Sequence, residues 1–190
     1  MLIVVSRHTE NIDWTSQFPN VLIYNKGPEL KGDYKVIPFQ NVGREGHTYY
    51  RYIYDHYDNL EDYTVFLQGN PFDHSPNIIS DLHKHINAKD LDFDFKYLSE
   101  GIINFNLTGD SWHPGLPLID CYEKIFGVRK ESLDLQFSRG AQFIVSRRQI
   151  LKRPREFYLK IVQMLEYHYH PIEGFVMERF HKAVFSDNDA

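Results

Sequence analysis

The segment Thr64-Val65-Phe66-Leu67-Gln68-Gly69-Asn70-Pro71 passes from an apolar run into a polar turn. Its first half is rich in β-branched and apolar side chains and predicts a buried strand, which Gly69 and Pro71 end abruptly. Leu2–Ser6 and Val21–Tyr24 are similar short runs nearer the start of the chain. Short apolar runs without alternation are typical of strands that are covered on both faces. The three segments therefore predict strands of one buried sheet.

Helical segments alternate with these strands. Along Glu45–Asn59, five side chains share one face of a predicted helix: Tyr49, Tyr50, Ile53, Tyr54 and Tyr57. We expect further helices at Pro76–Ile86, Glu156–Tyr167 and Glu173–Phe185, and further strands at Tyr34–Pro38, Phe95–Leu98, Ile102–Phe105 and Ala141–Ser146. The alternation predicts an α/β fold whose mixed, mostly parallel sheet is flanked by helices. No repeat or Gly/Ser linker divides the chain, so we expect residues 1–190 to form a single domain.

The composition excludes several classes of protein. The 190 residues carry 26 acidic and 21 basic side chains, a formal net charge of −5, whereas a protein that binds duplex nucleic acid needs net basic charge on one face. The single cysteine, Cys121, cannot form an intrachain disulfide, and no apolar run approaches the roughly 18 residues of a membrane span. We expect a cytoplasmic protein with no membrane span and no nucleic-acid partner. The 13 Tyr and 14 Phe predict an aromatic core, although a tyrosine near the start of the Glu45–Asn59 helix could stack on a ligand.

The segment Asn41-Val42-Gly43-Arg44-Glu45-Gly46-His47 opens the tyrosine-rich helix and suits a phosphate group. Glycines let backbone N–H groups approach an anion, the helix N-terminus carries partial positive charge, and a guanidinium binds phosphate as a fork. A turn that merely caps the helix is the alternative. The segment is not a Walker loop, because GxxxxGK[ST] is absent.

The turn Gln68–His74 carries a second polar cluster directly after a predicted strand. Its Asn, Asp and His side chains suit a divalent cation or sugar hydroxyls, and a strand-ending turn whose polar groups cap the backbone is the alternative. Further candidate metal ligands are the alternating carboxylates Asp90, Asp92 and Asp94 and the histidine pairs His83/His85 and His168/His170. For both sets, solvated surface positions are the simpler explanation.

Near the end of the chain, Glu173 and Glu178 are carboxylates on the last predicted helix. A carboxylate close to Arg179 fits an ordinary ion pair, whereas a carboxylate in a cleft could act as a general base toward a hydroxyl group. No GxSxG motif is present, and nothing around Cys121 indicates a nucleophile.

Taken together, these strings resemble a family of unknown function that is similar to the glycosyltransferase-A superfamily. The resemblance rests on stretches that occur in the same order and span most of the chain: Ser6–Gly27, Asn41–Tyr49, Asp62–His74 and Gly140–Ser146, with Glu178-Arg179 at the end. It implies a single glycosyltransferase-A-like domain that uses a nucleoside-diphosphate sugar as its donor and a glycan or glycoprotein hydroxyl group as its acceptor.

The resemblance also implies roles for individual residues. It implies a nucleotide-base site at Ser6, Arg7, Thr9 and Asn25, a nucleotide-sugar site at Gly43 and Arg44, and positive charge for the diphosphate from Arg7, Lys26 and Arg44. In the superfamily, a strand ends in an Asp-x-Asp motif that binds a divalent metal and the diphosphate. That motif maps onto Gln68-Gly69-Asn70, where amides replace both carboxylates and would ligate a hard cation less strongly.

The same comparison implies a metal and a catalytic base. Asn70 and Asp73 are the candidate ligands for Mn²⁺ or Mg²⁺, and the metal could be weakly held or absent. Glu173 or Glu178 corresponds to the late acidic residue that takes the proton of the acceptor hydroxyl group. The sugar, the acceptor, the stereochemical course and the oligomeric state are not encoded in any recognisable motif.

Three functions follow from these observations. The first is a glycosyltransferase that uses a nucleoside-diphosphate sugar. The second is a non-catalytic module that binds nucleotide sugars or carbohydrates and has lost the Asp-x-Asp metal site. The third is a metal-dependent hydrolase built on Asp73 and His74.

Overall fold

A computed structural model describes residues 1–186 of the chain, so the last four residues of the predicted domain lie outside the described part. The main sheet has six strands in the order β3-β2-β1-β4-β8-β5. Their bounds are β1 Leu2–Arg7, β2 Val21–Asn25, β3 Val36–Pro38, β4 Tyr63–Gln68, β5 Phe95–Tyr97 and β8 Phe143–Ser146. β1, β2, β3 and β4 are parallel to one another, and β8 runs antiparallel to both β4 and β5.

Strand β1 lies at the centre of the parallel part. Ile3 pairs with Val21 of β2 on one side and with Val65 of β4 on the other. Every residue of β1 is buried, which explains why its sequence is apolar without alternation. The sequence therefore predicted the central strand correctly.

Six α-helices and a second, small sheet complete the fold. The helices are α1 Arg44–Asp55, α2 Ile78–Ile86, α3 Leu118–Phe126, α4 Arg147–Ile150, α5 Arg155–Leu165 and α6 Ile172–Val184. The second sheet pairs β6, Ile103–Asn106, with β7, Asp134–Phe137, in antiparallel register. Short 3₁₀ helices occur at Asp13–Gln17, Tyr57–Asn59 and Arg139–Ala141.

Helices cover both faces of the main sheet. On one face, side chains such as Val4 and Phe66 pack against α1, α3, α5 and α6. On the other, Val5 and Leu67 pack against α2 and the segment around Trp14. The predicted α/β architecture, with a mixed and mostly parallel sheet flanked by helices, is confirmed.

The tyrosines of α1 belong to the core. Tyr49, Tyr50 and Tyr52 are buried, and the Tyr49 ring lies 4.9 Å from the Phe66 ring. The Tyr50 hydroxyl group bonds to Nδ1 of buried His181 at 2.8 Å. The alternative expectation, that a tyrosine near the start of this helix stacks on a ligand, is wrong because these rings face the sheet.

Several boundaries differ from the predicted ones. The predicted helix Glu45–Asn59 ends at Asp55 and continues as a 3₁₀ turn. The predicted strand Ala141–Ser146 begins at Phe143, because Ala141 adopts a left-handed backbone with φ of 52°. Strand β7 was not predicted, since Asp134–Phe137 is only four residues long and its partner β6 is distant in the chain. Within residues 1–186, no helix has the length and apolar character needed to cross a membrane.

Candidate functional site

A polar cleft lies at the carboxyl ends of β1 and β4. From β1 the chain moves outward to β2 and β3, then returns through α1 to β4 on the other side of β1. In open α/β sheets, ligands bind in the crevice at such a reversal of strand order. The cleft has a volume of about 590 Å³ and lies at this reversal of strand order.

Seven of the residues predicted for the donor and metal sites line this cleft: Ser6, Arg7, Lys26, Arg44, Gln68, Asn70 and Asp73. They come from the ends of β1, β2 and β4 and from the start of α1. The other four donor-site candidates, Thr9, Asn25, Gly43 and Gly69, are not part of its lining.

Arg7 joins the loops that follow β1 and β2. Its Nε donates to the carbonyl oxygen of Glu10 at 3.0 Å, and its Nη1 donates to Oδ1 of Asn25 at 2.6 Å and to the carbonyl oxygen of Pro28 at 3.0 Å. The loops pass so closely that a Cβ on Gly27 would lie 1.8 Å from the carbonyl oxygen of His8. Most of the guanidinium group of Arg7, and the amide of Asn25, therefore build the wall of the cleft.

Lys26 braces the turn before α1. Its Nζ donates to the carbonyl oxygen of Val42 at 2.7 Å and to that of Arg44. The side chain is 8% exposed, and burial lowers the pKa of Lys26 to about 7, an effect that the nearby Glu45 carboxylate opposes. Lys26 fixes the turn and places a positive charge at the cleft in its protonated form.

Gly43 and Arg44 adopt consecutive left-handed backbone conformations, with φ of 65° and 53°. A Cβ on Gly43 would lie 2.9 Å from the carbonyl oxygen of Leu165, so the turn needs glycine for space as well as for φ. Arg44 is strained for a residue with a side chain, and such strain concentrates at functional sites. The guanidinium carbon of Arg44 lies 4.1 Å from the centre of the Phe175 ring, which holds the group at the cleft.

The carboxylates of the cleft do not form a metal site. Glu10, Glu45 and Asp73 line it, but no group of three His, Cys, Asp or Glu side chains within residues 1–186 is arranged to hold a metal ion. Asn70 uses its Nδ2 to donate to Asp73 at 3.3 Å and its Oδ1 to accept from the Phe72 amide at 3.3 Å. The predicted pair Asn70 and Asp73 therefore does not fit the Mn²⁺ or Mg²⁺ implied by the resemblance.

The two candidate bases lie outside the lining of the cleft. Glu173 is half-buried and accepts from the hydroxyl group of Tyr167 at 2.6 Å. Glu178 accepts from the Gly140 amide at 2.8 Å with Oε1 and from Arg179 at 2.7 Å with Oε2. Both carboxylate oxygens of Glu178 already accept hydrogen bonds. The carboxylate therefore stabilises the turn at Gly140.

Other clusters noted in the sequence have structural partners. Asp94 accepts from Ser146 and from Arg148, whose Nη2 lies 2.5 Å away, and these hydrogen bonds lower the pKa of Asp94. Asp90, Asp92 and Asp94 do not lie on a common strand, since β5 begins at Phe95. Of the histidines noted as pairs, only His170 lines the cleft.

Six further residues of the lining were not assigned to the donor site or to the metal site of the resemblance: His8, Glu10, Asn41, Glu45, Tyr169 and His170. Tyr169 and His170 come from the α5–α6 loop, which packs on the turn before α1 through a bond of 2.9 Å from the Gly43 amide to the His168 carbonyl oxygen. Gly43, in its left-handed conformation, makes this contact. No local pattern in the sequence indicates that the α5–α6 loop lies against the turn before α1.

The fold and the cleft define a three-layer α/β protein with a polar cleft at the reversal of strand order in its sheet. The chain belongs to the family described as Protein of unknown function (DUF3431), whose model matches residues 2–117 and 113–190. No curated protein and no solved structure matches the chain.

Proposed function

We propose that this protein is a glycosyltransferase that moves a sugar from a nucleoside-diphosphate sugar to a hydroxyl group of a glycan or glycoprotein. The observation that carries the proposal is the convergence of Arg7, Lys26 and Arg44 in one cleft at the ends of β1, β2 and α1. A volume of about 590 Å³ is in the range of clefts that hold small molecules and cofactors.

Arg44 is the residue best placed to bind the diphosphate. Its side chain is 21% exposed, and its polar neighbours are at long range, with Glu45 at 3.7 Å and His170 at 3.5 Å. Arg7, by contrast, donates three hydrogen bonds to the strand end and loops that follow β1 and β2. A guanidinium group that can turn toward an anion offers two parallel N–H donors to phosphate oxygens. Arg44 therefore stabilises the negative charge that develops on the leaving diphosphate.

Asp73 is the carboxylate that we assign as the general base. It lines the cleft, is exposed, and accepts only a long bond of 3.3 Å from Asn70. In the proposed step, the acceptor oxygen attacks the anomeric carbon and its proton passes to Asp73. The bond from that carbon to the diphosphate oxygen breaks, and the electron pair leaves with the diphosphate beside Arg44.

The proposal is tested first by calorimetric titration with uridine- and guanosine-diphosphate sugars, both with a chelator and with added Mn²⁺. We expect Arg44→Ala to weaken donor binding by at least tenfold, in line with the loss of a charged hydrogen bond of about 1.5–3 kcal/mol. Arg51→Ala is the matched control, because Arg51 lies on the same helix and pairs with Asp55 outside the cleft. Equal binding by the two variants, or no binding of any nucleotide sugar by the unchanged protein, would contradict the proposal.

A second function is favoured by the amides that replace the metal-binding carboxylates. The protein would then bind a nucleotide sugar or a carbohydrate without transferring the sugar. Release of the free nucleoside diphosphate, measured with a panel of acceptor sugars, separates the two functions. For the transferase, we expect Asp73→Asn to bind the donor normally and to release diphosphate at least a hundredfold more slowly.

A further inference from the structure

Tyr169 presents an aromatic ring to the cleft. Its side chain is 59% exposed, and it lines the same cavity as Arg44 and Lys26. An exposed large aromatic side chain at a concave polar site is a common feature of binding surfaces, because the ring offers an apolar face and a polar edge.

The loop that carries Tyr169 is fixed at several points. The Gly43 amide donates to the carbonyl oxygen of His168 at 2.9 Å, and the His170 amide donates to Nδ1 of His168 at 3.0 Å. The Tyr169 ring contacts the imidazole rings of both its neighbours in the chain, with centroids 4.4 Å from His168 and 5.6 Å from His170. The backbone of the loop is therefore held in place before any ligand binds, which lowers the entropic cost of binding.

The positive charge of the cleft lies next to this ring. Nη1 of Arg44 is 3.5 Å from Nε2 of His170, the residue that follows Tyr169. A ligand with an anionic group at Arg44 and a flat ring at Tyr169 matches both features. A nucleotide combines these two groups within one small molecule.

Of the four residues expected to hold the base, Ser6 and Arg7 line the cleft and the other two do not. Thr9 and Asn25 are outside the lining of the cleft. The amide of Asn25 is occupied by Arg7 and by the carbonyl oxygens of Gly27 and Pro28, at 3.3 and 2.9 Å. Two of the expected base contacts are therefore missing from the cleft, and Tyr169 provides an open aromatic surface in the same lining.

We propose that Tyr169 is the stacking platform for the nucleobase of the nucleotide ligand. This inference rests on the proposed function, since it requires that the cleft bind a nucleotide. Stacking on an aromatic ring tolerates different bases because each base has a π-face. The platform selects nucleotides over simple phosphates without selecting one base.

The test compares Tyr169→Ala with Tyr167→Ala. Tyr167 belongs to the same loop and is 63% exposed, but it bonds to Glu173 and does not line the cleft. The probes are uridine diphosphate, guanosine diphosphate and inorganic diphosphate, which share the anion and differ in the base. Affinities are measured by calorimetry, and Tyr169→Phe reports whether the ring itself is sufficient.

We expect Tyr169→Ala to weaken binding of both nucleotides by about tenfold or more and to leave binding of inorganic diphosphate unchanged. Tyr169→Phe and Tyr167→Ala should bind like the unchanged protein. If nucleotides bind the unchanged protein and Tyr169→Ala weakens all three probes equally or none of them, the stacking role is wrong while the donor site stands. If the unchanged protein binds inorganic diphosphate as tightly as it binds the nucleotides, there is no base site. If it binds none of the probes, the proposed function fails together with this inference.

Discussion

Arg7 and Arg44 each place a guanidinium group at the cleft, yet their surroundings give the two residues different roles. Arg7 is 8% exposed and bonds to Asn25 and to two loop carbonyl groups. Arg44 stacks on Phe175 and has only long-range polar neighbours. The sequence could not separate these roles, because the difference depends on where the loops after β1 and β2 meet.

His47 is a buried residue whose cost to stability can be measured. Within residues 1–186, both ring nitrogens lack a hydrogen-bond partner, and the ring stacks on Phe39 with a centroid distance of 5.1 Å. Burial, together with the nearby charges of Lys26 and Arg51, lowers the pKa of His47 to about 3. The unfolded chain binds a proton at this histidine below pH 6.5 and the folded chain does not, so folding stability decreases as the pH falls from about 6.5 toward 3.

We predict that His47→Phe raises the free energy of unfolding by about 1 kcal/mol at pH 7, because an unsatisfied polar group leaves the interior. At pH 5 the advantage of the variant should grow by about 2 kcal/mol, since 1.5 pH units below 6.5 correspond to about 1.36 kcal/mol each. Urea unfolding at both pH values measures this difference. Equal losses of stability in the two proteins on acidification would show that His47 is not protonated on unfolding in this range.

Helix α6 is attached to the segment before α3 by a buried ion pair. Nε of Arg179 lies 2.6 Å from Oδ2 of Asp110, and both side chains are 1% exposed. The Arg179 guanidinium group also lies over the Phe137 ring and donates to Glu178, which holds the Gly140 amide. One side chain of α6 therefore anchors β7 and the turn before β8.

We predict that Arg179→Leu lowers the free energy of unfolding by about 3–5 kcal/mol, because it leaves the Asp110 charge buried and unpaired. Adding Asp110→Asn should restore part of this loss, since a neutral amide costs less to bury than a carboxylate. The exposed pair Arg51–Asp55 is the control, and Arg51→Leu should cost less than about 1 kcal/mol. Chemical unfolding compares the variants. Similar losses for Arg179→Leu and Arg51→Leu would mean that the buried pair contributes no more than a surface pair.

The elements of the main sheet were predictable, because their apolar runs and the glycines or prolines that end them are local signals. Thr64–Leu67 and Leu2–Ser6 were assigned to strands on this basis and lie in β4 and β1. β7 escaped prediction because its pairing with β6 depends on a partner distant in the chain. For the same reason, the α5–α6 loop with Tyr169 could not be assigned to the cleft.

The cleft exists because of the order of the strands in the sheet. The chain adds β2 and β3 on one side of β1 and then returns to add β4 on the other side. The ends of β1, β2 and β4 meet at the cleft because of this topology, and the predicted residues at these strand ends line it. The balance of charge was harder to predict. Glu10 and Glu45 join Asp73 in the cleft, so its three cations face three carboxylates.

We predict that the protein binds nucleotide sugars without a divalent cation, because the cleft offers guanidinium and ammonium groups but no metal-ligand set within the described residues. A ligand at a hundredfold excess over its Kd stabilises the folded state by about 2.7 kcal/mol. For a chain of this size, that corresponds to a rise in Tm of about 5–10 °C. Thermal unfolding should show the same rise with a chelator and with added Mn²⁺. A rise that occurs only with Mn²⁺ would show that a metal completes the site.

The position of β8 has a consequence for synthesis on the ribosome. β8 lies between β4 and β5 and pairs with both, although β4 is translated long before it. Until Phe143–Ser146 emerges, the nascent chain exposes the apolar edge of β4 to neighbouring chains, and such edges promote aggregation. We therefore expect ribosomes stalled before residue 143 to hold a chaperone-dependent intermediate, and those stalled on a linker fused after residue 190 to carry a protease-resistant sheet.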